Sequence, residues 1–172
     1  MGREEAIATD RLGTVEELGD GRVGVRFERR LAHSIDAVWA AITDADALAQ
    51  WFPELTLTGL SVGSEYEIRF GGDCDGPAHV AGRVVECTPK SAFQIGTIRY
   101  ELTPDGEGCR LVFSDVLVFE ETRTREDVEN SVLGGWHSFV DRLEDALAGK
   151  AIDIDAPELD YAKIRKARRE TA

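Results

Sequence analysis

Two ionisable side chains, Asp115 and His137, are the candidates in this sequence for binding a ligand or for acid–base catalysis. In the last β-rich run of the sequence, Asp115 has the same strand parity as Leu111 and Phe113. If those two apolar side chains point inward, the carboxylate does so too, and a buried carboxylate needs a partner or a raised pKa. His137 or Tyr100 could be that partner. The alternative is that Asp115 lies near a strand end, or beyond a bulge that reverses the parity.

His137 follows Trp136 at the edge of the apolar stripe of a long predicted helix. Its imidazole titrates near neutral pH, so it could hydrogen-bond a ligand or act as a general acid or base. The alternative is a boundary histidine that bonds to the sheet. Asp115 and His137 are therefore the two candidate catalytic residues, and that role requires a cavity in which both reach one ligand atom.

A set of large apolar side chains is predicted to face one concave surface, because strand alternation or helix periodicity directs each of them inward. The set is Trp51, Phe52, Tyr66, Phe70, Phe93, Tyr100, Phe113, Trp136, Phe139 and Val140. Apart from Phe139, these residues together with Asp115 and His137 are the candidate ligand-binding residues, since an aromatic-rich concave surface suits an apolar ligand. The alternative is that they simply fill the core at close packing.

The common catalytic and metal-binding patterns do not occur in the sequence. It holds no GxSxG, no HExxH and no cysteine with a placed histidine. Gly71 and Gly72 have neither a GK[ST] motif nor a following helix to make a phosphate loop. The stretch 71–76, which contains Cys74, is interpreted as a flexible hairpin loop. We therefore predict no metal and no cofactor, and we favour binding over catalysis.

The composition is that of one folded domain with a strong negative charge. The chain has 172 residues, 42% of them hydrophobic, and 33 Asp and Glu against 20 Lys and Arg leave a formal net charge of −13. Phosphate backbones and anionic lipid surfaces repel such a chain, so we predict no nucleic-acid binding. No apolar run approaches the roughly 20 residues that span a bilayer, and the first residues do not resemble a signal peptide. Because the three scattered cysteines give no disulfide scaffold, we expect a cytoplasmic protein without membrane insertion.

The N-terminal part is predicted to supply a hairpin and two short helices. Turn residues at 19–21 join a strand at 14–18 to a strictly alternating strand at 23–31. A helix at 35–43 follows a serine N-cap, and a second helix at 44–52 stops before a proline. Helices this short must pack on another element to be stable.

Six β-rich runs and one long helix complete the predicted domain. The runs are 55–60, 66–70, 79–87, 93–95, 97–103 and 109–119. Connections this short cannot carry parallel crossovers, so the sheet should be an antiparallel meander. The helix at 128–147 has apolar residues at intervals of three and four residues, and it ends before Gly149. Inside it, Gly134 and Gly135 cost about 1–2 kcal/mol relative to alanine, which suggests a close approach to the sheet or a bend.

The chain divides into three predicted segments. Residues 1–10 show no period and are unassigned, residues 11–149 form the domain, and residues 150–172 form a C-terminal tail with a candidate short helix that opens at Pro157. Residues 160–172 hold five Lys or Arg against two Asp or Glu. This basic tail could fold back on the acidic body, contact a partner or be a solvated end.

Short motifs spread over residues 11–148 carry a family resemblance. They are FERRL at 27–31, VWAAITD at 38–44, LAQWFP at 48–53, GRVVE at 82–86, YELTPDG at 100–106, GGWH at 134–137 and DRLE at 141–144. Together they resemble the landmarks of bacterial homologues of the activator of Hsp90 ATPase, in the START/Bet v 1-like (SRPBCC) superfamily. The resemblance implies an α+β helix-grip fold. In that fold a curved antiparallel sheet of about seven strands wraps around a long C-terminal helix, and two short helices follow the first long strand.

The resemblance also implies a cavity between the sheet and the helix. Members of the superfamily bind lipids, sterols or polyketides, some catalyse cyclisations, and the eukaryotic namesake stimulates a chaperone ATPase. We therefore expect an apolar or amphipathic small molecule as the partner, in a protein that is a monomer or a homodimer. One alternative is an Hsp90-ATPase-activator-like or other protein-binding module that uses the charged surface and the tail. The other is a cyclase- or hydrolase-like enzyme on a polyketide-like compound, with Asp115 or His137 as acid or base.

Overall fold

An eight-stranded curved sheet is the largest element of the fold. The computed structural model describes residues 11–71, 79–118, 124–156 and 159–171. The strands are β1 Thr14–Gly19, β2 Arg22–Leu31, β3 Leu55–Leu57, β4 Glu65–Arg69, β5 His79–Thr88, β6 Ala92–Ile95, β7 Ile98–Asp105 and β8 Gly108–Val118. All neighbours pair antiparallel, in the order β1-β2-β8-β7-β6-β5-β4-β3. The predicted helix-grip architecture is confirmed, with eight strands rather than about seven because β1 extends the sheet at its edge.

Strand alternation decides which side chains reach the core. In β7, Tyr100 and Leu102 are buried whereas Glu101 between them is exposed, and in β8 Leu111 and Phe113 are buried together with Asp115. The predicted parities of these two strands are therefore confirmed. The inner face of the sheet is almost entirely apolar, and Asp115 interrupts it.

Two short helices follow β2, as predicted. Helix α1 (Ile35–Thr43) begins after Ser34, whose hydroxyl accepts a hydrogen bond from the Ala37 N–H at 3.2 Å. Helix α2 (Ala45–Trp51) begins after Asp44, whose carboxylate accepts from the first-turn amides. These N-caps satisfy amides that have no partner within the helix. Both helices pack against the long C-terminal helix, which supplies the support that their length requires.

The long C-terminal helix has three parts. Helix α3 (Arg125–Asp127) leads into a π-helical turn (Val128–Val132) and then into helix α4 (Leu133–Leu147). Gly149, with φ of 68°, lies just past its end as predicted. The π-helical turn was not predicted, because apolar periodicity does not distinguish it from an α-helical turn. Among the described helices, none is both long and apolar enough to cross a membrane.

Gly134 lets the C-terminal segment lie directly against α4. A Cβ at this position would come within 2.0 Å of the Leu159 carbonyl oxygen. The close approach predicted from the glycine pair is therefore to this segment, and the prediction of an approach to the sheet is wrong for Gly134. The Leu159 N–H also donates to Ser138 Oγ at 3.3 Å, and the next buried side chain, Tyr161, is 4% exposed.

The C-terminal tail contains a helix, as expected, but its described part begins later than the predicted start. Helix α5 spans Tyr161–Thr171, while Pro157 lies outside the described residues, as do Gly72 and Cys74 of the predicted hairpin loop. The burial of Tyr161 supports a tail that folds back on the body of the domain. The boundaries of the three segments stay predictions.

Candidate functional site

Five aromatic side chains meet between the sheet and α4. We call the rings of Phe52, Phe70, Phe113, Trp136 and Phe139 the aromatic cluster. Phe113 points inward from β8, Trp136 and Phe139 lie three residues apart on one face of α4, and the other two follow the ends of α2 and β4. All five are among the side chains predicted to face one concave surface, and all but Phe139 are predicted ligand-binding residues, so the structure brings the centre of that set together.

The rings of the aromatic cluster pack against one another. Ring centroids lie 4.6 Å apart for Phe52 and Phe139 and 4.9 Å apart for Phe113 and Trp136. Phe70 meets Phe139 at 6.2 Å and Trp136 at 6.5 Å, both edge-on. Such tilted and edge-on pairs are the preferred aromatic geometries. Side chains therefore occupy the space between sheet and helix, and the half-buried Phe70 is the least covered ring.

Three other predicted residues are buried next to the aromatic cluster. Trp51 packs on Phe52 at 5.4 Å, and its indole N–H donates to the Ala41 carbonyl at 2.9 Å. Phe93 is fully buried, and Val140 is buried on α4. Their predicted role in ligand binding stays a prediction, and in this structure they support the rings.

The Asp115 carboxylate is buried against the aromatic cluster and is 4% exposed. The indole N–H of Trp136 donates to Oδ2 at 3.1 Å, and the Thr97 hydroxyl donates to Oδ1 at 2.7 Å. Burial raises the pKa of Asp115, although these hydrogen bonds oppose the rise. The inward orientation predicted from strand parity is confirmed. The hydrogen-bond partners, however, are Trp136 and Thr97 rather than His137 or Tyr100.

Two tyrosine hydroxyls lie near Asp115 without a hydrogen bond. Burial, followed by the charge of Asp115, raises the pKa of both Tyr66 and Tyr100. In the part of the chain that the structure describes, neither hydroxyl has a hydrogen-bond partner. Neither hydroxyl is among the fully buried polar atoms without a partner, which are Arg29 Nη2 and Glu54 Oε2 in the described residues, so both hydroxyls keep some contact with the surface. A ligand beside Asp115 could therefore reach them.

His137 lies in a different buried site, although it is the next residue after Trp136. It is 1% exposed; its Nδ1 is hydrogen-bonded to the Tyr161 hydroxyl, and its Nε2 lies 3.5 Å from Asp141 Oδ1. Because a carboxylate only accepts, these partners assign the proton to Nε2 and make the Tyr161 hydroxyl the donor to Nδ1. Burial and the positive charges of Arg29 and Arg11 lower the pKa of His137 to about 4.

Charged residues surround His137, and we call Arg11, Arg29, Asp141 and Glu144 the ion-pair cluster. The Arg29 side chain is 2% exposed; its Nε donates to Glu144 Oε1 at 2.7 Å, and its Nη2 lies 3.8 Å from Asp141 Oδ1. Arg11 Nη2 bonds to both carboxylates, at 3.0 Å and 2.8 Å. Two cations and two anions thus neutralise each other beside a neutral imidazole.

Arg29 and Tyr161 were not predicted from the sequence as candidate functional residues. For Arg29 a signal existed, because it has the inward parity of Val25 and Phe27 in β2. For Tyr161 the sequence offers no comparable signal, since the tail has no period that fixes its place on the domain.

Asp115 and His137 do not share a hydrogen-bond partner. Phe27 lies between the two sites, with its ring centroid 5.9 Å from that of His137 and 6.2 Å from that of Phe113. The structure therefore does not bring the two candidate catalytic residues together as one acid–base pair.

A cavity of about 530 Å³ opens beside the ion-pair cluster. Its lining is Arg11, Arg30, Leu31, Ala32, His33, Asp141, Glu144, Asp145, Ala148, Lys150 and Leu159. None of the predicted ligand-binding residues lines this cavity. Among the described residues, no group of three or more His, Cys, Asp or Glu side chains is placed to hold a metal ion.

Solved structures share this fold. A conserved protein of unknown function, EF2215 from Enterococcus faecalis, is 23% identical with a TM-score of 0.63, over 92% of this chain and 89% of its own. DynU16, a protein of the dynemicin biosynthetic locus, is 26% identical with a TM-score of 0.58, over 77% of this chain and 49% of its own. The Aha1 dimer from Colwellia psychrerythraea is 21% identical with a TM-score of 0.54, over 72% of this chain and 95% of its own.

A sequence model identifies the family. No curated protein matches the chain. The model of the family described as "Activator of Hsp90 ATPase homolog 1-like protein" matches residues 32–148, which is more than half of the chain. The match spans both short helices, strands β3 to β8 and the C-terminal helix. The chain therefore belongs to the family of activator of Hsp90 ATPase homolog 1-like proteins, which has the START/Bet v 1-like fold.

Proposed function

We propose that this protein binds a small hydrophobic or amphipathic molecule between the sheet and α4, at the aromatic cluster. The observation that carries the proposal is the Asp115 carboxylate, which is 4% exposed beside the aromatic rings and can still accept a hydrogen bond. The hydroxyls of Tyr66 and Tyr100 lie near it and make no hydrogen bond within the described residues. An apolar pocket with a few convergent polar groups is the usual design of a small-molecule site.

Ligand entry requires the rings of the aromatic cluster to move. Phe70 is half-buried, and Trp136 and Phe139 retain some exposure, so the cluster is least covered on this side. Thr97, which donates to Asp115, is itself exposed in the turn between β6 and β7. The Thr97 side chain thus lies between the Asp115 carboxylate and solvent. Rotation of a few rings would connect it to the surface, and such rotamer changes are common when ligands bind.

The origin of DynU16 is consistent with small-molecule binding, because that protein comes from the locus for dynemicin biosynthesis. The protein-binding alternative stays a prediction, since the likeness to the Aha1 dimer is one of fold. The enzymatic alternative requires Asp115 and His137 to reach one ligand atom. The two side chains have different hydrogen-bond partners and lie in different buried sites, so the structure offers no acid–base pair for it.

Nile red, a neutral dye that fluoresces in apolar surroundings, tests the proposal in a titration. We expect saturable binding with one dye per chain. Phe70→Gln should weaken it at least about fivefold, because the ring at the least covered side of the cluster is lost. Native mass spectrometry of the purified protein, followed by denaturing extraction, would identify a compound that copurifies.

Val85→Gln is the matched control, because Val85 is 52% exposed. It should bind the dye as the parent protein does. Equal binding by both variants would contradict a site at the aromatic cluster, and the absence of saturable binding would contradict the proposed function.

A further inference from the structure

The aromatic cluster holds a carboxylate but no neighbouring cation. The buried polar and charged residues of the described chain are Arg29, Thr43, Asp115 and His137. Val25 pairs with Asp115 across the sheet, and Arg29 lies four residues further along β2, about 13 Å away. Arg29 is also already bound to Glu144 at 2.7 Å. Its charge is therefore neutralised within the ion-pair cluster.

Arg142 stacks on a ring of the aromatic cluster, and it is also neutralised. Its guanidinium carbon lies 4.6 Å from the centroid of Phe139. Its Nη1 is 3.4 Å from the Glu54 carboxylate, and its Nη2 donates to the Ile154 carbonyl at 2.7 Å. An anion in the aromatic cluster would therefore find no free cation among the described side chains.

Asp115 can still accept a hydrogen bond. An ionised carboxylate has about four acceptor positions. The Thr97 hydroxyl and the Trp136 indole occupy two of them. A ligand N–H or O–H can use a remaining one, and a ligand hydroxyl could at the same time accept from Tyr66 or Tyr100.

This inference rests on the proposed function and names the class of ligand. We propose that the ligand presents a hydrogen-bond donor to Asp115, from a neutral hydroxyl or an ammonium group, and that the site rejects carboxylates, sulfates and phosphates. An ionised Asp115 repels an anion directly, and it presents acceptors where an anion would need donors. The carboxylate of Asp115 is therefore the group that excludes anions.

Three compounds with one ring system test the proposal by displacement of Nile red at neutral pH. They are 1-naphthol, 1-naphthylmethylamine and 1-naphthoate, which are neutral, cationic and anionic. The first two should compete at least about tenfold better than the third, because an uncompensated buried charge is costly. Asp115→Asn should reduce this difference to less than about threefold, because an amide can donate to an anion. Glu101→Gln, an exposed carboxylate to amide change, should leave the ranking unaltered.

Each outcome decides one of the two proposals. Naphthoate that competes as well as naphthol, or a difference that persists in Asp115→Asn, overturns the donor requirement while ligand binding stands. If Asp115→Asn does not fold, the ranking measured on the parent protein decides alone. Failure of Nile red and all three compounds to bind overturns both proposals.

Discussion

Trp136 and His137 are consecutive residues of one helix, yet their side chains enter two buried polar sites of different kinds. Around His137, the ion-pair cluster and Tyr161 supply mutual partners from β2, α4 and the C-terminal segment. Around Asp115, Trp136 and Thr97 donate, while two tyrosine hydroxyls have no partner within the described chain.

The difference separates polar groups that hold the fold together from polar groups that are available to a ligand. Charged groups that pair across three elements fix how those elements meet, even though Arg29 Nη2 makes no hydrogen bond, and removal of one leaves the others buried and unpaired. The hydroxyls of Tyr66 and Tyr100 make no hydrogen bond within the described residues and are not fully enclosed, so a ligand can reach them. Substitutions should therefore change stability at the ion-pair cluster and ligand binding at Asp115.

The largest effect should come from Arg29→Ala. We expect the free energy of unfolding to fall by roughly 3 kcal/mol, because the substitution removes a buried cation whose loss leaves Glu144 and Asp141 with Arg11 alone. Urea denaturation followed by tryptophan fluorescence measures this loss. A loss below about 1 kcal/mol would mean that these ion pairs do not stabilise the fold.

Arg110→Ala is the matched control for Arg29→Ala. Arg110 pairs with Glu28 at 2.6 Å, but the two side chains are 41% and 36% exposed. Exposed ion pairs contribute about 0–1 kcal/mol. The comparison of the two arginines therefore separates burial from pairing as the source of the effect.

Strand parity made Asp115 predictable, because a period of two fixes the face of every side chain once one is known. The same rule places Arg29 inward. The partners of Asp115 were not predictable, since Thr97 comes from a turn and Trp136 from a helix. Their placement against β8 depends on how the long helix packs across the sheet, which local patterns do not encode.

The C-terminal segment shows a second limit of the sequence. Gly134 indicates that something approaches the helix closely, but a missing side chain does not say which backbone comes near. The approaching group is the Leu159 carbonyl. Similarly, the aromatic residues were assigned to one surface correctly, but sequence could not show that their rings fill the space between sheet and helix.

The pH dependence of stability should distinguish the two sites by sign. The pKa of His137 falls from its ordinary value near 6.5 to about 4 in the folded protein. The unfolded chain therefore takes up this proton first, and stability is lost as the pH falls from about 6.5 towards 4. We expect His137 to account for a loss of about 2 kcal/mol between pH 7 and pH 5.

Urea denaturation of the parent and of His137→Gln at both pH values measures this contribution as a difference. The variant should lose about 2 kcal/mol less than the parent over the same interval. Asp115 acts in the opposite direction: its raised pKa means that the folded protein binds the proton more readily, so stability rises as the pH falls through that pKa. Asp115→Asn should therefore steepen the decline, and a shallower decline would contradict the assigned burial.

The smallest and sharpest comparison applies one chemical change to both sites. Tyr161→Phe removes the hydroxyl that donates to His137 Nδ1, and we expect a loss of about 1–2 kcal/mol in the free energy of unfolding. Tyr100→Phe removes a hydroxyl that makes no hydrogen bond in the described structure and is not among its fully buried unpaired atoms. Its stability should stay within about 0.5 kcal/mol of the parent or increase slightly.

Ligand binding should show the reverse order. Tyr100→Phe should weaken displacement of Nile red by 1-naphthol, since the hydroxyl available to the ligand is gone, whereas Tyr161→Phe should leave it unchanged. Equal losses of stability in both variants would show that Tyr100 has a structural partner and that its hydroxyl is not free for a ligand. The same atom is deleted in both variants. Any difference between them in stability or ligand binding therefore comes from the surroundings of the hydroxyl, which are a closed set of partners at Tyr161 and a ligand-accessible site at Tyr100.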